Sequence, residues 1–167
     1  MKTTDRGVKF IAKHEGAVKQ SGLHWMYDDA TGKPVDSYEE CKGFPTIGYG
    51  HLVTEDEQSQ GLYLEGIDEA GALELLSGDL TAAEDIVNKL VVVELNEDQF
   101  DALVDFTFNV GGGNLKSSTL LKFLNQGNFD AVPEQMLRWN KSKGKVMEGL
   151  NRRRTDEGEL FMGRYVL

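Results

Sequence analysis

The chain has 167 residues and a net charge of −10, and 40% of its residues are hydrophobic and 28% charged. This length suits a single domain with a well-buried core, and the composition excludes a fibre, a disordered tail and a disulfide-stapled small protein. A single cysteine, Cys41, excludes an internal disulfide. The acidic balance disfavours a protein that binds nucleic acid through a general basic field.

The first predicted element is a helix that begins at Thr3 or Thr4, since both are good N-caps. Apolar residues then recur at helical spacing: Val8, Ile11 and Ala12. The next position on this stripe is Glu15, and Gly16 is the predicted helix stop. Burial would raise the pKa of such a glutamate towards the range of a general acid. The alternative is a structural glutamate that pairs with a buried arginine.

Short strands and turns are predicted between residues 22 and 53. A β-prone stretch over 46–53 contains two glycines, which indicate a bulge or another group close to the backbone. The same region supplies a second carboxylate, Asp28 or Asp29. Two carboxylates in different environments are what the cleavage of a glycosidic bond requires.

After residue 54 the pattern is helical, and five or six helices are predicted, which makes an α+β fold. The predicted N-caps in this part are Asn96, Ser117 or Ser118, and Asn128. The glycine run 111–113 would end one helix, and a last helix is predicted over about 148–161. The segment 138–164 carries eight Lys or Arg against four Asp or Glu, which indicates either a solvated helix face or a docking patch for an anionic ligand.

The sequence lacks the residue patterns that several common kinds of site require. The three histidines have no metal-ligand spacing, and no serine-hydrolase elbow or phosphate-binding loop is present. We therefore expect neither a metal nor a cofactor. No apolar run is long enough to span a membrane, and no signal-type segment stands at the start, so we expect synthesis in a reducing cytosol without membrane insertion.

The chain resembles one known family through motifs that occur in order along nearly its whole length. In the first half these are HEG at 14–16, YDDATG at 27–32 and TIGYGH at 46–51. Later blocks lie at 96–104, 108–111, 118–121, 138–139 and 149–157. They resemble the endolysins of glycoside hydrolase family 24, the group that includes the lysozymes of T-even phages.

The resemblance implies a lysozyme-like α+β fold in a single catalytic domain over 1–167. A small β-hairpin lobe would cover about 18–55, residues 1–17 and 56–167 would form a larger helical lobe, and the cleft would lie between them. The implied protein is a monomeric muramidase that hydrolyses the β-1,4 bond between N-acetylmuramic acid and N-acetylglucosamine in peptidoglycan. It would start in the host cytoplasm and reach the periplasm and cell wall at lysis, with a holin giving access to the glycan strands.

Two alternatives to this function stay open. A lytic transglycosylase cleaves the same bond without water, and the presence of Asp29 and Thr46 argues against it. A non-catalytic wall-binding module would keep the fold alone, although neither Glu15 nor the motif around Thr46 is lost.

The resemblance also implies a role for each matching residue. Glu15 matches the general acid, Asp29 the second carboxylate, and Thr46 the threonine that helps to position water. The residues that would line the sugar cleft are Leu52, Phe108 and Asn109. Phe108 also falls on the core face of its helix, which is the competing interpretation.

Two further residues match supporting positions. His51 would support the hairpin rather than transfer a proton, and Arg153 would approach Glu15 and pair with Glu157. The neighbouring arginines, Arg152 and Arg154, are expected to be solvated.

The chain departs from the short members of the family at 33–45, where it carries extra residues. This insertion could extend the wall of the cleft, or it could be a surface loop without effect. It leaves Asp28 and Asp36 open as replacements for Asp29. Cys41 lies here, and we expect no redox role for it because only Lys42 could activate a thiolate.

Overall fold

The computed structural model describes residues 1–167. The chain forms two compact units, one made of Met1–Phe10 and Leu80–Leu167 and the other of Ile11–Asp79. None of the helices combines the length and apolar character that a membrane span requires. The first unit is helical, and the second contains the longest stretch of strands and turns.

Nine α-helices and seven short strands make up the chain. The helices are α1 (Asp5–His14), α2 (Glu55–Ser59), α3 (Glu69–Asp79), α4 (Thr81–Leu90), α5 (Glu97–Val110), α6 (Gly112–Ser117), α7 (Thr119–Asn125), α8 (Val132–Leu137) and α9 (Glu148–Phe161). The strands are β1 (Lys19–Gln20), β2 (Leu23–His24), β3 (Tyr27–Asp28), β4 (Pro45–Ile47), β5 (His51–Leu52), β6 (Lys141–Ser142) and β7 (Lys145–Val146). Eight helices follow residue 54, so the prediction of five or six was too low.

Helix α5 forms the centre of the helical unit. Its N-terminus has the predicted capping box, in which the Asn96 side chain accepts from the Gln99 amide and the Gln99 side chain accepts from the Asn96 amide. Every residue from Phe100 to Thr107 is buried, because α4, α6 and α9 pack around the helix. Gly111 ends it with φ 94°, as the glycine run predicted, and α6 begins directly afterwards.

Helix ends test the capping predictions one by one. Thr4 caps α1 through a 3.0 Å hydrogen bond from the Gly7 amide, and Ser118 caps α7 through a 3.0 Å bond from the Leu121 amide. Helix α1 ends at His14, so Gly16 stands at the predicted position just past the helix, but it does not adopt the left-handed conformation of a glycine cap. Asn128 was wrong as a helix cap, because it precedes a 3-10 turn over Phe129–Ala131 and its side chain makes no capping bond.

The unit Ile11–Asp79 is built on an antiparallel sheet in the order β3-β4-β5. A cluster of buried apolar side chains supports it: Met26, Val35, Ile47 and Val53. This unit contains α2 and α3 as well as the region 18–55, for which we predict the β-rich lobe, and α3 packs against β2 and β5.

The β-prone stretch 46–53 is a hairpin rather than one continuous strand. Gly48 and Gly50 turn the chain between β4 and β5 with φ of 64° and 86°, a backbone region that favours glycine. A Cβ at Gly48 would lie 3.3 Å from the Cβ of Ala72, so the predicted close approach to the backbone is present at this residue. The hairpin turn is therefore held directly against α3.

Candidate active site

The sheet separates two sets of side chains. Tyr27 pairs with Thr46, and Thr46 pairs with Leu52, so these three residues form one row across the strands. Because side chains alternate along a strand, Met26, Asp28 and Ile47 lie on the opposite face, where all three are buried. The first face carries two of the predicted catalytic or cleft residues, Thr46 and Leu52. We call it the open face, although Thr46 in the middle of the row is only 2% exposed.

Glu15 lies directly after α1, and its amide donates to the carbonyl oxygen of Ile11 at 3.1 Å. Its side chain is half-buried, so the apolar stripe led to an overestimate of its burial. Tyr27 connects Glu15 with the second predicted carboxylate. Burial raises the pKa of Tyr27, and the charges of Glu15 and Asp29 raise it further. Tyr27 therefore lies within the electrostatic influence of both predicted carboxylates.

Asp28 and Asp29 have different environments. Asp28 is buried and accepts hydrogen bonds from the amides of Lys42 at 2.8 Å and of Ala30 and Gly43 at 3.0 Å. The bond from Lys42 and the two others lower its pKa, against the opposing effect of burial. Asp29 is exposed and accepts a hydrogen bond from the amide of Phe44 at 2.7 Å. Asp28 therefore fixes a loop, and Asp29 presents a carboxylate on the open face.

Phe44 links the predicted carboxylate to the predicted threonine. Its carbonyl oxygen accepts from the amide of Asp29 and from the hydroxyl of Thr46, each at 3.1 Å. Gly43 stands next to it, and a Cβ at that position would collide with the Asp29 carboxylate. Sequence reasoning missed both residues, because they belong to the insertion and resemble ordinary loop residues.

The insertion is part of the fold rather than a surface loop without effect. Val35 belongs to the buried cluster, and Tyr38 and Cys41 pack against it. The hydroxyl of Tyr38 donates to the carbonyl of Leu62 at 2.5 Å. Burial raises the pKa of the Cys41 thiol, and nearby carboxylates add to the effect, which disfavours the reactive thiolate. Asp36 is exposed, and the structure gives it no place beside Thr46.

His51 lies between two carboxylates. Its Nδ1 is 2.9 Å from Asp79 Oδ2 at the end of α3, and its Nε2 is 2.9 Å from Glu57 Oε1 in α2. The hydrogen bond with Asp79 and then that with Glu57 raise the pKa of His51 to about 9, against the effect of burial. These contacts attach the end of β5 to two helices, an arrangement that suits the predicted supporting role.

Glu69 holds the turn of the β4-β5 hairpin. Glu69 at the start of α3 accepts from the Tyr49 hydroxyl at 2.6 Å and lies 2.7 Å from Nε2 of the buried His24. Burial and the bond to Glu69 raise the pKa of Tyr49 to about 12, so its hydroxyl stays a donor. The turn between β4 and β5 is therefore tied to the same helix as His51.

The predicted residues of the helical unit lie around a buried ionic cluster. Arg153 pairs with Asp105 and lies 3.8 Å from Glu157, as its spacing predicted. Arg154 is fully buried and bonds to Glu157 and to the side-chain oxygen of Asn109, so the prediction that it is solvated was wrong. Burial and the neighbouring Asp105 raise the pKa of Glu157 well above its ordinary value, while the two arginines oppose this effect.

The other predicted residues of this unit are more open. Phe108 is half-buried at the end of α5, and Asn109 beside it is exposed. The basic segment 138–164 is divided: Arg153 and Arg154 are buried in ion pairs, whereas Arg138 and the lysines of the unpredicted β6-β7 hairpin are exposed. Arg138 borders a groove of about 360 Å³ whose lining residues are Ser117, Ser118, Thr119, Gln135, Arg138 and Trp139.

Comparisons with known proteins identify the family and the fold of this chain. The Phage lysozyme family matches residues 29–157, and the chain belongs to this family. The endolysin of Bacillus phage B103 is 48% identical over 117 residues, which are 70% of this chain and 43% of that protein. The chain thus spans less than half the length of the Bacillus phage relatives that it matches. The family match begins at Asp29, so Glu15 precedes it.

Two solved structures show the same fold over almost the whole chain. A crystal structure of a P22 lysozyme mutant is 32% identical with a TM-score of 0.76 and covers 97% of this chain and 99% of that chain. The muramidase domain of SpmX from Asticaccaulis excentricus is 29% identical with a TM-score of 0.74 and covers 97% of this chain and 98% of that chain. The predicted lysozyme-like α+β fold is confirmed.

Proposed function

We propose that the protein is an endolysin muramidase that hydrolyses the β-1,4 bond between N-acetylmuramic acid and N-acetylglucosamine in peptidoglycan. The observation that carries this proposal is the hydrogen-bonded link from Asp29 through Phe44 to Thr46, in the same unit as Glu15. Membership of the phage lysozyme family and the fold shared with a muramidase domain support it. We place the chemistry in glycoside hydrolase family 24, with the T-even lysozymes.

In this proposal Glu15 protonates the oxygen of the leaving sugar. Its half-buried position limits the water around the carboxyl group, which suits a general acid. Asp29 stabilises the positive charge that develops on the sugar ring or orients the attacking water. The Thr46 hydroxyl donates to the carbonyl of Phe44, so its oxygen lone pairs remain available to accept from that water.

Leu52, Phe108 and Asn109 are proposed to contact the substrate. Leu52 is exposed in the row of the open face, and Phe108 and Asn109 lie at the end of α5. The groove beside Arg138 combines a guanidinium group with the indole ring of Trp139. We propose that Arg138 binds a carboxylate of the peptide stem, because guanidinium and carboxylate groups form paired hydrogen bonds.

The experiment that tests the function is mass spectrometry of the fragments released from purified peptidoglycan by the unsubstituted protein and by Glu15→Gln. We expect saccharides that end in a reducing muramic acid, and a loss of rate of at least about 100-fold in the variant. The matched control is Glu39→Gln, an exposed glutamate of the same unit, which should leave the rate unchanged.

Two outcomes would contradict the proposal. Fragments one water lighter would identify a lytic transglycosylase and would remove the roles given to Asp29 and Thr46. Intact glycan chains after treatment with the unsubstituted protein would indicate a non-catalytic wall-binding module.

A further inference from the structure

We infer that Phe44 is a saccharide-contacting residue that positions the sugar next to Asp29. This inference rests on the proposed function and adds to it a residue outside the family's motifs, because Phe44 belongs to the insertion. It concerns a contact on the open face and not the identity of the acid or of the water-positioning groups.

Hydrogen bonds join Phe44 to Asp29 directly beyond the sheet. Strand β3 pairs Tyr27 with Thr46 and Asp28 with Pro45, and Asp29 and Phe44 are the residues that follow this last pair. The amide of Asp29 donates to the carbonyl of Phe44 at 3.1 Å, and the amide of Phe44 donates to Asp29 Oδ1 at 2.7 Å. Phe44 therefore adjoins the carboxylate proposed for catalysis.

The backbone of Phe44 is held firmly although its side chain is open. Its amide donates to Asp29 Oδ1 at 2.7 Å, and its carbonyl oxygen accepts from both Asp29 and Thr46. The residue is nevertheless 66% exposed, and Leu52 in the same face is 52% exposed. A single exposed apolar residue is ordinary in a soluble protein. Here Leu52 belongs to the row that holds Thr46, and the backbone of Phe44 is fixed by the proposed catalytic residues themselves.

This arrangement matches the chemistry of an N-acetylated sugar. Such a sugar has an apolar face of C–H groups and an acetamido methyl group beside polar hydroxyls. Ligand sites combine apolar and aromatic side chains with a few placed polar groups, and a residue whose backbone is already fixed loses less entropy when the ligand binds. A ring beside Asp29 can cover the apolar face of the sugar and exclude water from one side of the carboxylate.

The test compares Phe44→Ala, Phe44→Leu and Phe44→Trp in two assays. In the Glu15→Gln background, binding of a tetrasaccharide of alternating N-acetylglucosamine and N-acetylmuramic acid is measured by calorimetry. With Glu15 intact, kcat and KM for cleavage of soluble glycan strands are measured. We expect Phe44→Ala to weaken binding and raise KM about fivefold to tenfold, the size of one aromatic contact, with kcat much less affected. Phe44→Leu should be intermediate, and Phe44→Trp should restore both values.

Controls separate this contact from a structural effect. Val92→Ala removes an apolar side chain that is 76% exposed in the other unit, and it should change neither affinity nor KM. The thermal midpoint of Phe44→Ala should stay within about 1 °C of that of the unsubstituted protein, because exposed substitutions have little effect on stability. Equal affinity and equal KM for Phe44→Ala and the unsubstituted protein would overturn the inference.

The two proposals can fail separately. Cleavage by the unsubstituted protein with no effect of Phe44→Ala would remove the sugar contact and leave the muramidase in place. Tetrasaccharide binding that depends on Phe44 in a protein that cleaves no glycan would support the contact and remove the muramidase.

Discussion

Arg153 donates two hydrogen bonds to Asp105, from Nε to Oδ2 at 3.1 Å and from Nη2 to Oδ1 at 2.6 Å, and so joins α9 to α5. Both side chains are buried, and Arg154 and Glu157 complete the cluster next to them. Buried charges of this kind are stable only when each has its partner, because water cannot replace a lost contact. The arrangement explains why one face of this arginine-rich helix is buried against α5.

The first prediction concerns this pair. Asp105→Asn removes a buried negative charge and leaves Arg153 with Glu157, 3.8 Å away, as its remaining carboxylate partner. We therefore expect a loss of about 3 kcal/mol in the free energy of unfolding, the lower end of the range for a broken buried pair. Urea unfolding monitored by circular dichroism measures it. The control is Glu148→Gln, which breaks the exposed pair between Arg152 and Glu148 and should leave stability unchanged. Equal midpoints for Asp105→Asn and Glu148→Gln would contradict the importance of the buried pair.

The second prediction separates the two neighbouring aspartates. Asp28→Asn replaces an acceptor of three amide bonds by a side chain whose NH₂ group cannot accept, so we expect a midpoint lower by several degrees, at about 2–4 °C per kcal/mol. Asp29→Asn should keep the midpoint and reduce kcat by at least about 100-fold. Thermal unfolding and glycan cleavage are measured on both variants. A normal kcat in Asp29→Asn with a reduced kcat in a fully folded Asp28→Asn would assign the second carboxylate to Asp28.

The third prediction concerns Gly43. An alanine here would place its Cβ against the Asp29 carboxylate and 2.9 Å from the Cβ of Ala30, so the carboxylate must move and lose its bond to the Phe44 amide. We expect kcat/KM to fall by about 10- to 100-fold, since misplacement of a reacting group by about 1 Å can cost that much. Gly149→Ala is the control, because its Cβ meets no atom within 4 Å. Unchanged cleavage by Gly43→Ala would show that the carboxylate position is not critical.

Part of this site could be predicted from the sequence, because local patterns carry the information. The capped start of α5, the last helix over 148–161 and the anomalous Glu15 each follow from spacing along a few turns of chain. The burial of Arg154 could not be predicted, since it depends on Asp105 and Asn109, which lie more than 40 positions away in sequence. The same is true of Phe44, whose importance comes from its hydrogen bonds with Asp29, which lies 15 positions earlier in the sequence.

The contacts of His51 likewise combine distant residues, and they lead to the last prediction. Its pKa is raised from 6.5 to about 9, so the folded protein holds this proton more tightly than the unfolded chain. The resulting stability is fully present below pH 6.5 and is lost as the pH rises through about 9; a shift of this size corresponds to about 3 kcal/mol at most.

Burial raises the pKa of Glu57, but bonds from Tyr63, the Thr54 amide and His51 lower it to about 2. Its contribution is present above pH 4.5 and is lost as the pH falls towards 2.

We therefore expect the combined contribution of His51 and Glu57 to the free energy of unfolding to be greatest between about pH 4.5 and 6.5. The measurement is urea unfolding of the unsubstituted protein and of His51→Gln at intervals from pH 5 to 10. The difference between the two proteins should shrink as the pH rises from 6.5 to 9, because the unsubstituted protein loses its imidazolium while glutamine carries no charge to lose. Asp79→Asn removes the carboxylate that raises the pKa of His51 most, so it should lower this pKa. The stability that the imidazolium provides should then be lost at a lower pH. Parallel curves for the unsubstituted protein and His51→Gln across this range would show that the charged form of His51 does not stabilise the hairpin.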